Sequence, residues 1–169
     1  MAFVVDCSVS LAWFLEDERN AFTDSILRAT EQLDHWVPVV WPLEFANGLL
    51  MAQRRRRIDR TARLDALERV LLPGLHIDPG PVDMQSISAL AERRDLTTYD
   101  ASYVELATRR GLDLVTLERS LATAAAAEGV AVRMPGRTGA APPRGKYAPR
   151  RAKAAGIQYV VAAEGKSTR

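Results

Sequence analysis

The chain is poor in the residues that make covalent or soft-metal frameworks. It has one cysteine and two histidines in 169 residues. A single thiol excludes an internal disulfide, and His and Cys this sparse argue against a structural zinc site. That cysteine usage points to a reducing, cytoplasmic setting. No long apolar run is present, because the N-terminal one ends at Asp6, so neither a membrane span nor a secretory leader is expected. Lysine is missing from the first 135 residues. Those carry 15 Arg and 20 Asp+Glu, a net charge of −5, whereas residues 136–169 carry 8 Lys+Arg and one Glu, a net charge of +7. We place a boundary at Pro135. Residues 1–135 form one domain, and 136–169 read as a basic, disordered or loosely attached tail rich in Gly, Pro and Ala. Such a tail suits nucleic acid or an acidic protein surface, and is equally read as a solvated extension.

What is present alternates between strand and helix signals. AFVV (2–5), WVPVVW (36–41), LHID (75–78), DLVTL (113–117) and VAVRM (130–134) have β character. Pro38 argues for an edge or early position in the second run. Between them, Pro42 opens PLEFANGLLMAQRRRR as a helix. A helix from about Asp59 to Leu72 is expected to pack Leu64, Leu67, Val70 and Leu71 on one side. VDMQSISALAERR and YDASYVELATRR are amphipathic, the latter capped by Gly111. The alternation predicts an α/β fold, a parallel sheet of about five strands between helix layers.

In such sheets ligands gather beyond the carboxyl ends of the strands. The stretch LVTLERSL (114–121) therefore matters, because a buried strand runs straight into Glu118. Asp6 stands at the end of the first strand in the same way. Glu44 and Asp100 fall in first helical turns. Each acid alone is accounted for by the attraction of carboxylates to helix starts. Three of the four follow, or nearly follow, strands expected to be parallel neighbours, so their carboxylates converge on one rim, where mutual repulsion and burial would force some to protonate unless a divalent cation is held there. With only oxygen ligands on offer, Mg²⁺ or Mn²⁺ fits better than zinc. Such an ion suits phosphodiester hydrolysis, activating a water while a remaining carboxylate accepts its proton.

The segments FVVDCSVSLAWF, PLEFANGL and LTTYDASYVELATRRGLDLVTLERSL, with acids in the order Asp–Glu–Asp–Glu, resemble a PIN-domain ribonuclease of the VapC toxin type. The resemblance covers about residues 1–135 and does not extend to the tail. It implies a three-layer α/β/α PIN-like fold and an Mg²⁺- or Mn²⁺-dependent endoribonuclease acting on tRNA or rRNA. It also implies a homodimer and a cognate antitoxin protein. Asp6 and Asp100 match the family's principal metal ligands, and Glu44 its conserved glutamate. Glu118 stands where the family usually has aspartate, one methylene too long, about 1.5 Å. Thr116 matches the strand Thr/Ser that hydrogen-bonds around the site, and Ser8 a Ser/Ala-type position beside it. A housekeeping RNA-processing PIN nuclease and a non-catalytic PIN-like binding module are the alternatives.

Other candidates are read from the residues. Arg54, Arg55, Arg56 and Arg57 would contact RNA phosphates, complement the end of their helix, or serve protein contacts. Cys7 is expected to be structural, since no His accompanies it. Trp13, Phe14, Trp36, Trp41 and Phe45 are expected in the core, and His35 and His76 in loops or at strand ends.

Overall fold

The computed structural model describes residues 2–138. Most of the basic tail lies outside the described residues. Five parallel strands are present: β1 (Phe3–Val5), β2 (His35–Val37), β3 (Leu75–Ile77), β4 (Asp113–Val115) and β5 (Val132–Met134). A two-residue β6 (Arg137–Thr138) returns antiparallel on the outside of β5, so the sheet continues past Pro135. Spatial order is β3-β2-β1-β4-β5-β6. The chain walks outward from β1 to β3, then crosses back to β4 on the other side of β1. The β1/β4 junction is therefore the switch point of the sheet, the usual ligand crevice.

Seven helices cover the sheet among the described residues: α1 (Cys7–Ala12), α2 (Ala21–Thr30), α3 (Trp41–Arg54), α4 (Arg60–Arg69), α5 (Met84–Arg94), α6 (Thr98–Arg110) and α7 (Arg119–Ala127). On one side α1 packs on α3 and α3 on α4; on the other α6 packs on α5 and α7. Right-handed crossovers on either side of the switch point require that grouping. It yields the three-layer α/β/α arrangement expected from the sequence. Because both faces are covered, central strands are apolar throughout: Phe3, Val4, Val5, Leu114 and Val115 are fully buried.

Local signals set the element ends. Asn20 caps α2 by accepting from the Phe22 and Thr23 amides, and Gly111 closes α6 at φ +64°. Gly48, in the PLEFANGL segment, allows α3 to lie against α1, since a Cβ there would fall 2.6 Å from Leu11 Cδ1.

Two expectations change, and the strand-end placement of His35 holds. β2 is an interior strand, flanked by β1 and β3; Pro38 follows its last residue and ends it. On α4 the buried positions are Ala66 and, just beyond the helix, Val70, while Leu64 and Leu71 are exposed at 37% and 67%. Helical spacing defines a face, but the packing partner selects which part of it is covered. His35 opens β2 and is buried, stacked on Phe3 with centroids 6.0 Å apart. The five aromatics named above are buried or packed against the core. Trp13 donates its indole N–H to the Thr23 carbonyl and Trp41 its own to Ser10 Oγ.

Candidate active site

Asp6 is the first residue beyond β1 and the N-cap of α1. Its amide donates to the Val115 carbonyl at 2.9 Å, tying it to β4 across the switch point. Its side chain is only 3% exposed. Oδ2 accepts from Ser8 Oγ at 2.5 Å and from Thr116 Oγ1 at 2.8 Å. The two hydroxyls are themselves held by the opposite loop. Leu117 N–H donates to Ser8 Oγ at 3.2 Å and Glu118 N–H to Thr116 Oγ1 at 3.0 Å. Burial raises the Asp6 pKa, the Ser8 and Thr116 hydroxyls pull it down, and the Asp100 charge raises it again.

Glu44 lies in the first turn of α3, which leaves the rim just after β2. Tyr103 Oη donates to its Oε2 at 2.5 Å, joining α6 to α3 over the sheet edge. Burial raises the Glu44 pKa, the tyrosine opposes this, and Asp6 and Asp100 add to it. Asp100 reaches the same rim differently. The C-terminus of α6 feeds β4, so its N-terminus points back to the carboxyl ends of the strands. Thr97 caps that turn, accepting from Asp100 N–H at 3.0 Å and donating to Asp100 Oδ2 at 2.8 Å.

Glu118 is the N-cap of α7, although its side chain makes no capping bond. The residue as a whole is exposed. Desolvation, then the charges of Asp6, Asp100 and Glu44, push it up to about 7. Asp6, Glu44 and Glu118 thus each feel the Asp100 charge, and Glu44 and Glu118 also feel Asp6. Among the described residues no Arg or His forms an ion pair with any of them.

The residues fit a hard divalent cation by donor type and by lack of counter-charge. Among the described residues, no three His, Cys, Asp or Glu side chains close into a ready-made cage. Glu44 and Asp100 are turned to Tyr103 and Thr97 instead. Magnesium does not demand such a cage, since one or two carboxylates, waters and substrate phosphate complete its shell.

Tyr103 and Thr97 were not singled out from sequence. Tyr103 had a signal: it lies three residues after Asp100, hence on the same helical face. Cys7 is buried among the acids, and burial with Asp6, Glu44 and Glu118 holds its thiol protonated. Arg54–Arg57 stand elsewhere. They begin at the last residue of α3, about 15 Å along the axis from Glu44 at 1.5 Å per residue. Arg57 is paired with Asp17 and Glu18, at 2.6 Å from each.

Comparison with known proteins bears on the family and the fold that carry this site. The model of the PIN domain matches residues 3–127. A Pyrobaculum aerophilum protein named ribonuclease VapC3 is 30% identical over 124 residues, covering 72% of this chain and 93% of that one. A crystal structure of a protein from the same organism superposes with a TM-score of 0.59 at 29% identity, over 78% of this chain and 92% of that chain. By fold, by match over most of its length and by this similarity, the chain belongs to the PIN domain family.

Proposed function

We propose that this chain is an Mg²⁺- or Mn²⁺-dependent endoribonuclease, the cytoplasmic toxin of a toxin–antitoxin pair, hydrolysing phosphodiester bonds of tRNA or rRNA. The observation that carries the reading is the convergence of Asp6, Glu44, Asp100 and Glu118 on one rim without a cationic partner among the described residues. PIN membership and the similarity to a protein named as a ribonuclease support it.

Asp6 and Asp100 would hold the ion, with Glu44 completing the site directly or through water. When bound, the ion supplies an activated water and neutralises charge on the phosphate oxygens. The chain's own contribution is positioning and proton handling. Ser8 and Thr116 fix Asp6 Oδ2, and Tyr103 fixes Glu44 Oε2. Glu118 has no hydrogen-bonded partner for its carboxylate among the described residues, and its longer arm suits accepting the proton of an attacking water.

A homodimer belongs to the same proposal. Val39, Leu43, Val82, Met84 and Tyr99 are exposed large apolar side chains. Several of them line a cavity of about 400 Å³ beside the starts of α3 and α6. Apolar surface of this kind suits a protein partner. No helix among the described residues is long and apolar enough to cross a membrane.

The test is cleavage of bulk tRNA and rRNA by purified protein. Activity should require Mg²⁺ or Mn²⁺, vanish with EDTA, and vanish in Asp100→Asn. RNA binding without cleavage under every metal condition would instead mark a binding module. Cleavage without any growth defect on expression would point to a housekeeping nuclease.

A further inference from the structure

Residues 54–63, RRRRIDRTAR, carry six Arg and one Asp, a net charge of +5. Residues 1–135 as a whole carry −5, so the remainder of that span carries −10. Positive charge is therefore concentrated at the turn between α3 and α4, where Arg54, Arg55, Arg56 and Arg60 are exposed. The acids nearby are already engaged. Asp17 and Glu18 each hold Arg57 at 2.6 Å, Asp65 holds Arg69 at 3.0 Å, and Asp59 accepts from the Ala62 amide at 2.7 Å as the cap of α4. Arg63 donates to Gln53 at 2.6 Å. Among the described residues, Arg54, Arg55, Arg56 and Arg60 have no ion-pair partner.

The turn also keeps an arginine where the backbone disfavours one. α3 ends in a Schellman arrangement, in which Arg56 N–H donates to the Gln53 carbonyl at 2.9 Å and Arg57 N–H to the Ala52 carbonyl at 3.0 Å. The left-handed residue of that motif is usually glycine, yet Arg56 occupies it at φ +60°. A long cation in that place, beside three others without counter-charge, opposes folding and favours holding a polyanion. Arg57, braced by Asp17 and Glu18, ties the turn to the loop after α1. Leu64 is the one exposed large apolar side chain in or just beyond this segment among the described residues, so the surface offers a protein little to bury. Arginine forks match phosphate oxygens instead. The helix fixes the relation to the acidic rim. Glu44 and Arg55 are eleven residues apart, close to three full turns, so they lie on the same side of α3 about 16 Å apart along its axis. A stacked strand carries one phosphate per about 3.4 Å of axis, so about five nucleotides bridge the two.

We propose that Arg54, Arg55, Arg56 and Arg60 form a phosphate-binding surface that holds the RNA backbone about five nucleotides from the phosphate at the acidic rim. That the polyanion is RNA rests on the nuclease reading, so binding is measured without cleavage. Full-length protein in EDTA is titrated against a fluorescein-labelled single-stranded RNA of about 12 nucleotides over a series of NaCl concentrations, with anisotropy as the readout. Each single-strand contact contributes about 0.7 to the slope of log K against log salt. Changing the four arginines to Gln should flatten that slope by about 3 and weaken low-salt binding by more than about tenfold, while the same four changes to Lys keep most of the slope. Arg56→Gly should melt no lower than wild type and still lose about 0.7 of slope, which a purely structural arginine would not do. A control carrying Arg28→Gln and Arg69→Gln should keep the wild-type slope. Two results overturn the assignment. One is an unchanged slope in the four-Gln variant; if its elution volume in size exclusion also shifts, the arginines serve a protein contact instead. The other is an equal loss per charge in the control, which would leave net charge alone as the cause. If wild type binds with the arginine-dependent slope yet never cleaves with Mn²⁺, the nuclease reading fails and the phosphate-binding surface stands.

Discussion

Thr116 and Asp6 lie 110 residues apart in the chain and 2.8 Å apart in the fold, hydroxyl to carboxylate, with both side chains buried. The bond bridges the two strands of the switch point. It also faces Asp6 in one direction, since Ser8 donates to the same oxygen.

Thr116→Val preserves shape and removes that donor. Partners that orient a metal-binding carboxylate typically contribute about 10–100-fold in metal affinity or activity. Calorimetric titration with Mn²⁺ and RNA cleavage rates should both show a loss of this size. Unchanged values in both measurements would make the threonine a packing residue only.

Tyr103 offers a second test, because it is fully buried and its hydroxyl serves Glu44. Tyr103→Phe should lower the melting temperature modestly, since one hydrogen bond to a charged group contributes about 1.5–3 kcal/mol. Its cleavage rate should fall at a temperature where the variant is fully folded. Loss of stability with intact cleavage would remove Tyr103, and the Glu44 orientation it sets, from the site.

The acidic cluster leaves a pH signature in the metal-free protein. Glu118 has a folded pKa of about 7 against an ordinary 4.5. Between those values the native state binds more protons than the unfolded state. Stability from this group is therefore greatest in acid, declines as pH rises through about 4.5 to 7, and is level above. In EDTA, the melting temperature of wild type should fall relative to Glu118→Gln across that window. Mg²⁺ or Mn²⁺ should restore wild type at neutral pH. A difference between the two proteins that is independent of pH would show that Glu118 does not feel the other acids.

His35 acts in the opposite sense at the other rim of the sheet. It is buried, its Nε2 has no partner among the described residues, and Nδ1 faces the Leu33 carbonyl at 3.4 Å. Burial lowers its pKa below the ordinary 6.5, with His76 adding to the effect and Leu33 and Asp34 opposing it. Below 6.5 the unfolded chain takes up the proton first, so this contribution is fully present above 6.5 and lost as pH falls through the folded value. His35→Phe keeps a ring against Phe3 and removes the unpaired nitrogen. The variant should equal or exceed wild type in melting temperature at neutral pH, and its advantage should widen toward about pH 5. A larger acid-side loss in the variant would contradict this account.

Much of the molecule was legible from local signals. The order of strands and helices follows from periodicity, from Pro42 and Gly111, and from capping residues, all of which act within one or two turns. The four acids could be located because strand ends and first helical turns of a parallel α/β fold share a rim. Pairings were not legible in this way. That Tyr103 meets Glu44, or that Ser8 and Thr116 share one oxygen of Asp6, depends on how α6, α3 and β4 close around β1. Burial also escaped local reading: Leu64 and Leu71 keep helical spacing yet remain exposed, while His35 disappears beneath its neighbours.

The sequence by itself determined which elements form and which residues carry charge, because backbone propensity and side-chain spacing are short-range properties. Only the tertiary structure decided which charges meet. It brought four carboxylates together with no cationic side chain among the described residues paired to them, and left Arg54–Arg57 at the far end of α3. Electrostatic consequence depends on distance through space, and sheet order and register, not chain position, fix that distance.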